Sequence, residues 1–257
     1  MNFSRRDDDN VMEVPPYSVL AQYYDEVMSH IDYKVWIQYF EELCNHHNIA
    51  PRQTIDISCG TGRTIPYMLP WSGTLYCMDQ SPEMVKILYQ RFPEMQSRTW
   101  VGEMSAFPTR LKFDLVVNIQ DSVNYYLKPD RITQHLDNVR EQLTPHGAFL
   151  FDLSTEENIR NNFIDMDEIF ETDTFGYERI NTYLPRKRLN ISRFYLWQGE
   201  DPKKQTYLEK HLQRMYTIDE IEQCLENSMF TDWVLYADET FEPATEKSER
   251  IHVIAMK

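Results

Sequence analysis

The stretch Thr54-Ile55-Asp56-Ile57-Ser58-Cys59-Gly60-Thr61-Gly62 decides the fold. Thr54 to Ile57 is a short apolar run that reads as a strand, and it leads directly into a turn of small residues. Arg63 to Leu69 reads as a helix, with Pro66 in its first turn, where proline costs little. A strand that ends in glycines lets a backbone pass close to a ligand. The helix after it offers free N–H groups and the positive end of a dipole.

The same grammar continues downstream. Gly73 to Met78 is a second strand. Ser81 and Pro82 then start a helix as N-cap and first residue, with Met84, Ile87 and Leu88 as its buried stripe. Thr99 to Val101 and Phe113 to Ile119 are further strands. A helix carrying Ile132, Leu136, Val139 and Leu143 follows, and Pro145-His146-Gly147 ends it before a strand at Ala148 to Leu153. Strands alternating with helices imply a parallel sheet covered on both faces. Upstream, Leu20 to Val27 and Tyr33 to Cys44 show helical spacing. Downstream, the pattern changes to strand-like runs at Glu168–Phe175, Tyr177–Leu184, Arg188–Trp197 and Gln205–Tyr216, separated by Gly176, Pro185, Gly199 and Pro202. They read as a small antiparallel sheet inserted into the α/β unit. Thr217 to Glu220 forms a capping box, and Trp233–Tyr236 with Ile251–Ala255 reads as a closing strand pair. The expected fold is therefore a Rossmann-like α/β domain built from residues 1–153 and 217–257, with an inserted β lid over residues 154–216.

Composition narrows the function. Of 257 residues, 26 are Lys or Arg and 41 are Asp or Glu, a formal charge of −15. That balance opposes non-specific binding to nucleic acid or anionic lipid. No apolar run reaches the roughly 18 residues of a membrane span. The N-terminus, with Arg5-Arg6 before Asp7-Asp8-Asp9, lacks the apolar middle of a secretory signal. Cys44, Cys59, Cys77 and Cys224 form no CxxC pair and no zinc-site spacing, so no metal is expected, and reduced thiols fit a cytoplasmic protein. His46-His47 reads as a solvated helix end.

The second site feature is Asp79, at the end of the second strand and 17 positions after Gly62. An acid there can accept hydrogen bonds from both hydroxyls of a ribose, so turn and acid together define a nucleoside site. The dinucleotide fingerprint asks for Gly or Ala three positions after the second glycine, where this chain has Ile65, and the NAD(P) oxidoreductase reading drops accordingly. Asp121, Asn124 and Tyr125 lie at the mouth of the Phe113–Ile119 strand, where ligands of such sheets sit.

Asp56 to Gly62 resembles the first motif of class I S-adenosylmethionine-dependent methyltransferases, with Ser58 where glycine is usual. Met78 to Met84 resembles the second motif, and Val101 to Phe107 the adenine-contacting segment. Phe113 to Val117 and Leu143 to Gly147 resemble the fourth strand and the turn before the fifth. Tyr24–Met28, Asp32–Trp36 and the tail from Glu246 to Lys257 extend the resemblance across essentially the whole chain, toward a bacterial small-molecule branch similar to the glycine and amino-sugar N-methyltransferases. The resemblance implies S-adenosylmethionine as cofactor, S-adenosylhomocysteine as product, and a small-molecule methyl acceptor, an amine before a hydroxyl or carboxylate. It implies backbone contact at Ser58, Gly60, Thr61 and Gly62, the cofactor ammonium at Asp56, the ribose at Asp79, and adenine between Gln80 and Met84. Glu103, Met104 and Ser105 would meet the adenine edge, and Ile119 and Gln120 would line the cofactor. Tyr24 and Trp36 would close over its methionine end, with core packing as the competing reading for both aromatics.

In-line methyl transfer needs alignment and exclusion of water. An amine nucleophile must be neutral, so Asp121 and His211 are the candidate bases, and Asn124, Tyr125 and Arg214 are candidate acceptor contacts. Strand alternation places His211 and Arg214 on opposite faces, and inserted sheets commonly expose one face, which favours the surface for both. The place after the fourth strand reads Asn118-Ile119-Gln120-Asp121, not the Pro-Pro-Tyr motif of base-directed enzymes. A cofactor-binding protein without catalysis remains the alternative, and a homodimer is left open.

Overall fold

The computed structural model describes residues 10–107, 109–164, 166–199 and 205–257. The Arg5 to Asp9 charge cluster and Pro202 lie outside the described residues. In chain order the strands are β1 (Val11–Val14), β2 (Gln53–Asp56), β3 (Thr74–Asp79), β4 (Thr99–Val101), β5 (Phe113–Asn118), β6 (Leu143–Ser154), β7 (Asp167–Glu171), β8 (Phe175–Leu184), β9 (Leu189–Gln198), β10 (Thr206–Arg214), β11 (Asp232–Ala237) and β12 (Arg250–Met256).

Seven of them form one sheet in the order β11-β12-β6-β5-β2-β3-β4. The β2/β3, β3/β4, β2/β5 and β5/β6 pairs are parallel, and β12 returns antiparallel to β6. The chain runs from β2 outward to β3 and β4, then back to β5 on the other side of β2. This reversal opens a crevice at the carboxyl ends of β2 and β5, the place where open α/β sheets bind ligands.

Alternation along the strands divides the core. Leu115 and Val117 of β5 point to one face with Leu75 and Cys77, under the helices Tyr33–His46 and Pro82–Arg91. Phe113 and Val116 point to the other, under Pro129–Gln142 and Ile218–Glu226. Each fully buried Leu, Ile or Val contributes about 1.5–3 kcal/mol, so both faces are strongly fixed. Ser81 caps the second helix, with Pro82 in its first turn, and Thr217 and Glu220 form the expected capping box. The four cysteines are buried and free. Among the described residues, no helix is long and apolar enough to cross a membrane.

The second sheet has the order β1-β10-β9-β8-β7. It is antiparallel except at its edge, where β1 from the N-terminus pairs in parallel with β10, so the sheet is not wholly antiparallel as expected from sequence. The short β1 carries no alternation long enough to reveal it. Two punctuation readings also change. Leu143 belongs to β6, which continues through Pro145-His146-Gly147, because a side chain at Gly147 would press on the Phe113 carbonyl at 2.9 Å. Gly176 lies inside β8, where a Cβ would sit 2.4 Å from the Trp197 ring, and the turn falls instead at Thr172–Thr174. Ile87 is half-buried, and Val85 joins Met84 and Leu88 on the buried helix face.

Candidate functional site

β2 ends at Asp56, and the chain then turns sharply enough that Gly60 and Gly62 adopt φ of +52° and +82°. At Gly62 the space is closed as well, since a Cβ would meet the Ile65 side chain at 2.8 Å and Leu88 at 3.1 Å. Gly60 has no such crowding, its nearest neighbour being the Met84 sulfur at 3.9 Å. One glycine therefore packs the turn against the helices, and the other keeps its outer surface bare.

Two carboxylates, buried Asp56 and half-buried Asp79, brace this turn. Asp56 accepts from the Ser58 N–H at 3.1 Å and from the Thr64 hydroxyl at 2.9 Å. Burial pushes its carboxyl up to about 7, against the pull of those two donors. Asp79 accepts from the Gly60 N–H at 2.8 Å and the Ser81 N–H at 2.9 Å, one on each oxygen. Its carboxyl is also raised by burial. Asp79, held by these backbone donors and by the Gln80 N–H, lines the crevice.

Across the crevice, β5 ends in two consecutive non-glycine residues in the left-handed region, Gln120 (φ +61°) and Asp121 (φ +49°). Such strain persists only where surrounding contacts over-determine it. Here the Asp121 N–H donates to Asp152 at 2.9 Å, and its carboxylate accepts from Arg250 at 3.1 Å and Gln213 at 2.5 Å. Arg250 also pairs with buried Asp152. Burial works against the Arg250 charge, and Asp152 and Asp121 outweigh it. The Gln120 amide nitrogen is buried with no partner.

The N-terminal segment roofs the crevice. Tyr17, Tyr24, Tyr33 and Tyr125 line it, and Arg63 stacks over the Tyr33 ring at 4.5 Å while donating to the Asp25 and Met28 carbonyls. Burial pushes the Tyr17, Tyr24 and Tyr125 phenols further above their ordinary range, so all three keep their protons. A continuous polar chain then leaves the crevice toward the second sheet. The Tyr17 and Tyr125 hydroxyls are 2.8 Å apart, Tyr125 Oη is 2.8 Å from His211 Nδ1, and His211 Nε2 is 3.3 Å from Glu209. Glu209 is fully buried and accepts the N–H groups of Tyr17, Val19 and Leu20 at 2.7–2.9 Å.

The expected residues divide accordingly. Tyr24, Ser58, Gly60, Thr61, Asp79, Gln80, Met84, Met104, Ile119, Gln120 and Tyr125 line one cavity. Tyr17, Tyr24, Gln120 and Tyr125 also line an adjoining cavity of about 160 Å³ that holds Asp121 and His211. Asp56 and Gly62 brace the turn from below and do not line the cavity. Glu103 and Ser105 lie in the loop beside Met104, and Ser105 accepts from Asn138 through its carbonyl. Trp36 is placed elsewhere, under the Arg250 guanidinium at 4.8 Å and edge-on to His252. Asn124 is fully buried and spends its amide on the Ser154 and Arg214 backbones. Arg214 does sit on the face opposite His211, paired with Glu220 at 2.6 Å. His211, however, is buried and not on the surface, because β10 turns its Glu209-His211-Gln213 face toward the first sheet. Tyr17, Tyr33, Arg63 and Thr64 were not anticipated. Only Tyr33 carried a usable signal, inside the Asp32–Trp36 segment already singled out.

Comparison with known proteins agrees with this geometry. Residues 55–147 match the family model described as a methyltransferase domain. A Geobacillus protein named as a candidate methyltransferase is 27% identical, over 94% of this chain and 99% of its own length. An S-adenosylmethionine-dependent methyltransferase from Clostridium acetobutylicum superposes with a TM-score of 0.77 at 23% identity, covering 93% of this chain and 98% of its own. The sugar N-methyltransferase KedS8 from Streptoalloteichus gives 0.74 at 11% identity, covering 93% of both chains. The shared feature with the two solved structures is the fold.

Proposed function

We propose that this chain, whose residues 55–147 match a methyltransferase-domain family model and whose fold is shared with an S-adenosylmethionine-dependent methyltransferase, transfers a methyl group to a small-molecule amine. The observation that carries the reading is the pair of oxygens on Asp79. One is held by the Gly60 N–H of the turn and the other by the Ser81 N–H after β3, and a carboxylate oxygen so placed can accept a further hydrogen bond from a ribose hydroxyl. The bare outer surface of Gly60 and the unpartnered Gln120 amide fit the same ligand.

When bound, S-adenosylmethionine supplies a methyl group already activated by a sulfonium. What remains for the protein is placement, dryness and a route for one proton. The Tyr17, Tyr24, Tyr33 and Tyr125 rings close the crevice from water and present faces and hydroxyls that favour positive charge. Gln120 and Asp121, held in strained backbone, fix the wall between cofactor and acceptor. Tyr125 stands at that wall and touches both cavities. With His211 Nε2–H donating to Glu209, Nδ1 is left to accept from Tyr125, so an amine proton can pass to His211 through the Tyr125 hydroxyl. Buried Glu209 then stabilises the imidazolium that forms. Asp121 is less suited to this task, because Arg250 and Gln213 already occupy its carboxylate.

The test is titration calorimetry with S-adenosylmethionine, followed by transfer of a labelled methyl group to panels of amines, alcohols and acids. Binding with transfer to amines is expected. Absence of binding, with stabilisation by NAD(P)H in its place, would overturn the assignment.

A further inference from the structure

The second cavity is lined by an arginine, Arg179, that makes no ion pair among the described residues. On β8, Arg179 stands opposite Phe194 of β9 and faces the cavity with Ser192, His211 and Gln213. Its guanidinium lies over the Phe163 ring at 5.1 Å and the Phe194 ring at 5.2 Å. Among the described residues, no carboxylate comes within ion-pair distance of it, and its Nε is buried with no hydrogen-bond partner. Burial lowers the Arg179 pKa, opposed first by Glu168, its cross-strand neighbour on β7, whose carboxylate accepts from the Tyr177 hydroxyl at 2.9 Å, and then by Tyr177 and Asp121.

The acids around the cavity have partners of their own, Glu168 accepting from the Tyr177 hydroxyl. Asp121 is held by Arg250 and Gln213, and Glu209 by three backbone N–H groups. Arg250, the other arginine in the cavity wall, is neutralised by two aspartates. Arg179 is half-buried with its Nε withdrawn from water, and a cation so placed is normally paired, because desolvation is costly. Two aromatic faces soften that cost, but they leave the planar fork of the guanidinium free, and such a fork matches oxyanions. Leu20, Val27 and Ile31 give the cavity an apolar side.

We propose that the methyl acceptor has an apolar body and an oxyanion group, and that Arg179 receives the oxyanion. This rests on the methyltransferase reading of the neighbouring cavity, but its test does not need the cofactor. The shared chemistry is that of a carboxylate or a phosphate monoester.

Three variants and two probe pairs test it. Without ligand, Arg179→Met keeps the packing on the rings and removes the unpaired charge, so its unfolding midpoint should rise by about 2–4 °C. Next, 3-phenylpropionate is compared with 3-phenylpropionamide, and phenyl phosphate with phenol, at millimolar concentration by thermal shift. The anion of at least one pair should raise the midpoint of the wild type, and its neutral partner should not. Which pair responds distinguishes carboxylate from phosphate. Arg179→Met should lose that response, and Arg179→Lys, which keeps charge without the fork, should retain part of it. Arg179→Gln serves as a second neutral variant should methionine fold poorly. The proposal is overturned if the neutral partners stabilise equally, if neither anion acts, or if both neutral variants unfold earlier than the wild type and keep its response. S-adenosylhomocysteine binding, measured separately, should be unchanged in Arg179→Met. Failure of the wild type to bind it would refute the methyltransferase reading and leave the anion result standing.

Discussion

Asp56 should make the protein less stable as pH rises. Its carboxyl is fully buried and pushed up to about 7 from an ordinary value near 4. Between those two values the folded state binds more protons than the unfolded state, so stability falls as pH rises through the window and levels off above 7. Three units correspond to roughly 4 kcal/mol, of which about 2–3 kcal/mol falls between pH 5 and pH 8. Asp56→Asn removes the titration and keeps the shape. Its oxygen can still accept from Ser58, and its amide can donate to the Thr64 hydroxyl. Urea unfolding of both proteins at pH 5, 6, 7 and 8 should show the variant gaining about 2–3 kcal/mol on the wild type across the series. Asp79 and Asp152 are also raised by burial, so the wild-type curve alone would not isolate Asp56, whereas the difference between the two proteins does. Parallel curves, with a gap constant within about 0.5 kcal/mol, would refute the argument.

Asp79→Ala should weaken S-adenosylmethionine binding by about 1–3 kcal/mol, the scale of a lost charge-assisted hydrogen bond, and unchanged affinity would remove the ribose from this residue. The two glycines should behave differently: Gly62→Ala combines left-handed strain with a clash and should cost about 2–4 kcal/mol of stability, whereas Gly60→Ala should cost about 1–2 kcal/mol and act chiefly on cofactor affinity. Denaturant titration beside calorimetry separates them, and equal stability losses would contradict the packing described. Tyr125→Phe and His211→Gln should lower kcat at least tenfold with little change in cofactor Kd, and an unchanged kcat in both would exclude the relay. Glu209→Ala should cost about 3–5 kcal/mol, because three buried N–H groups lose their acceptor, and a stable variant would show that the N-terminal segment is held by other contacts.

What could be read from the sequence were the places where one residue type has few alternatives. The turn after β2 needs glycine at positive φ, Ser81-Pro82 can hardly do anything except start a helix, and Thr217 with Glu220 is a local device. All of these act within a few positions of themselves. The acid after β3 was legible because the fold puts it beside the turn. Tyr17, Arg63 and Glu209 were not, because their meaning is long-range: Tyr17 and Glu209 meet across 192 positions. Trp36 misled for a related reason. An aromatic on an apolar helix stripe does not announce which side of the helix will be covered, and here it supports Arg250. Arg179 was silent as well, since a lone arginine in an alternating strand looks like an exposed one until its neighbours are known.

The two cavities are built by different means, and this separates their functions. The first is shaped by backbone: positive-φ glycines, N–H groups on two carboxylates, and strand ends of a sheet shared with many proteins. The second is walled on one side by β8, β9 and β10, whose inward residues are individual choices on an alternating surface. Substitution of Arg179, Asn190, Ser192 or Gln213 can therefore redirect acceptor choice without disturbing the turn. The exception is the joint between them. Glu209 anchors Tyr17, Val19 and Leu20, and Tyr17 and Tyr125 wall both cavities. Any ligand that moves the Tyr17 ring must disturb its hydroxyl contact with Tyr125 and its edge contact with His211. Filling one cavity thus fixes the wall of the other, and cofactor and acceptor should bind with positive coupling.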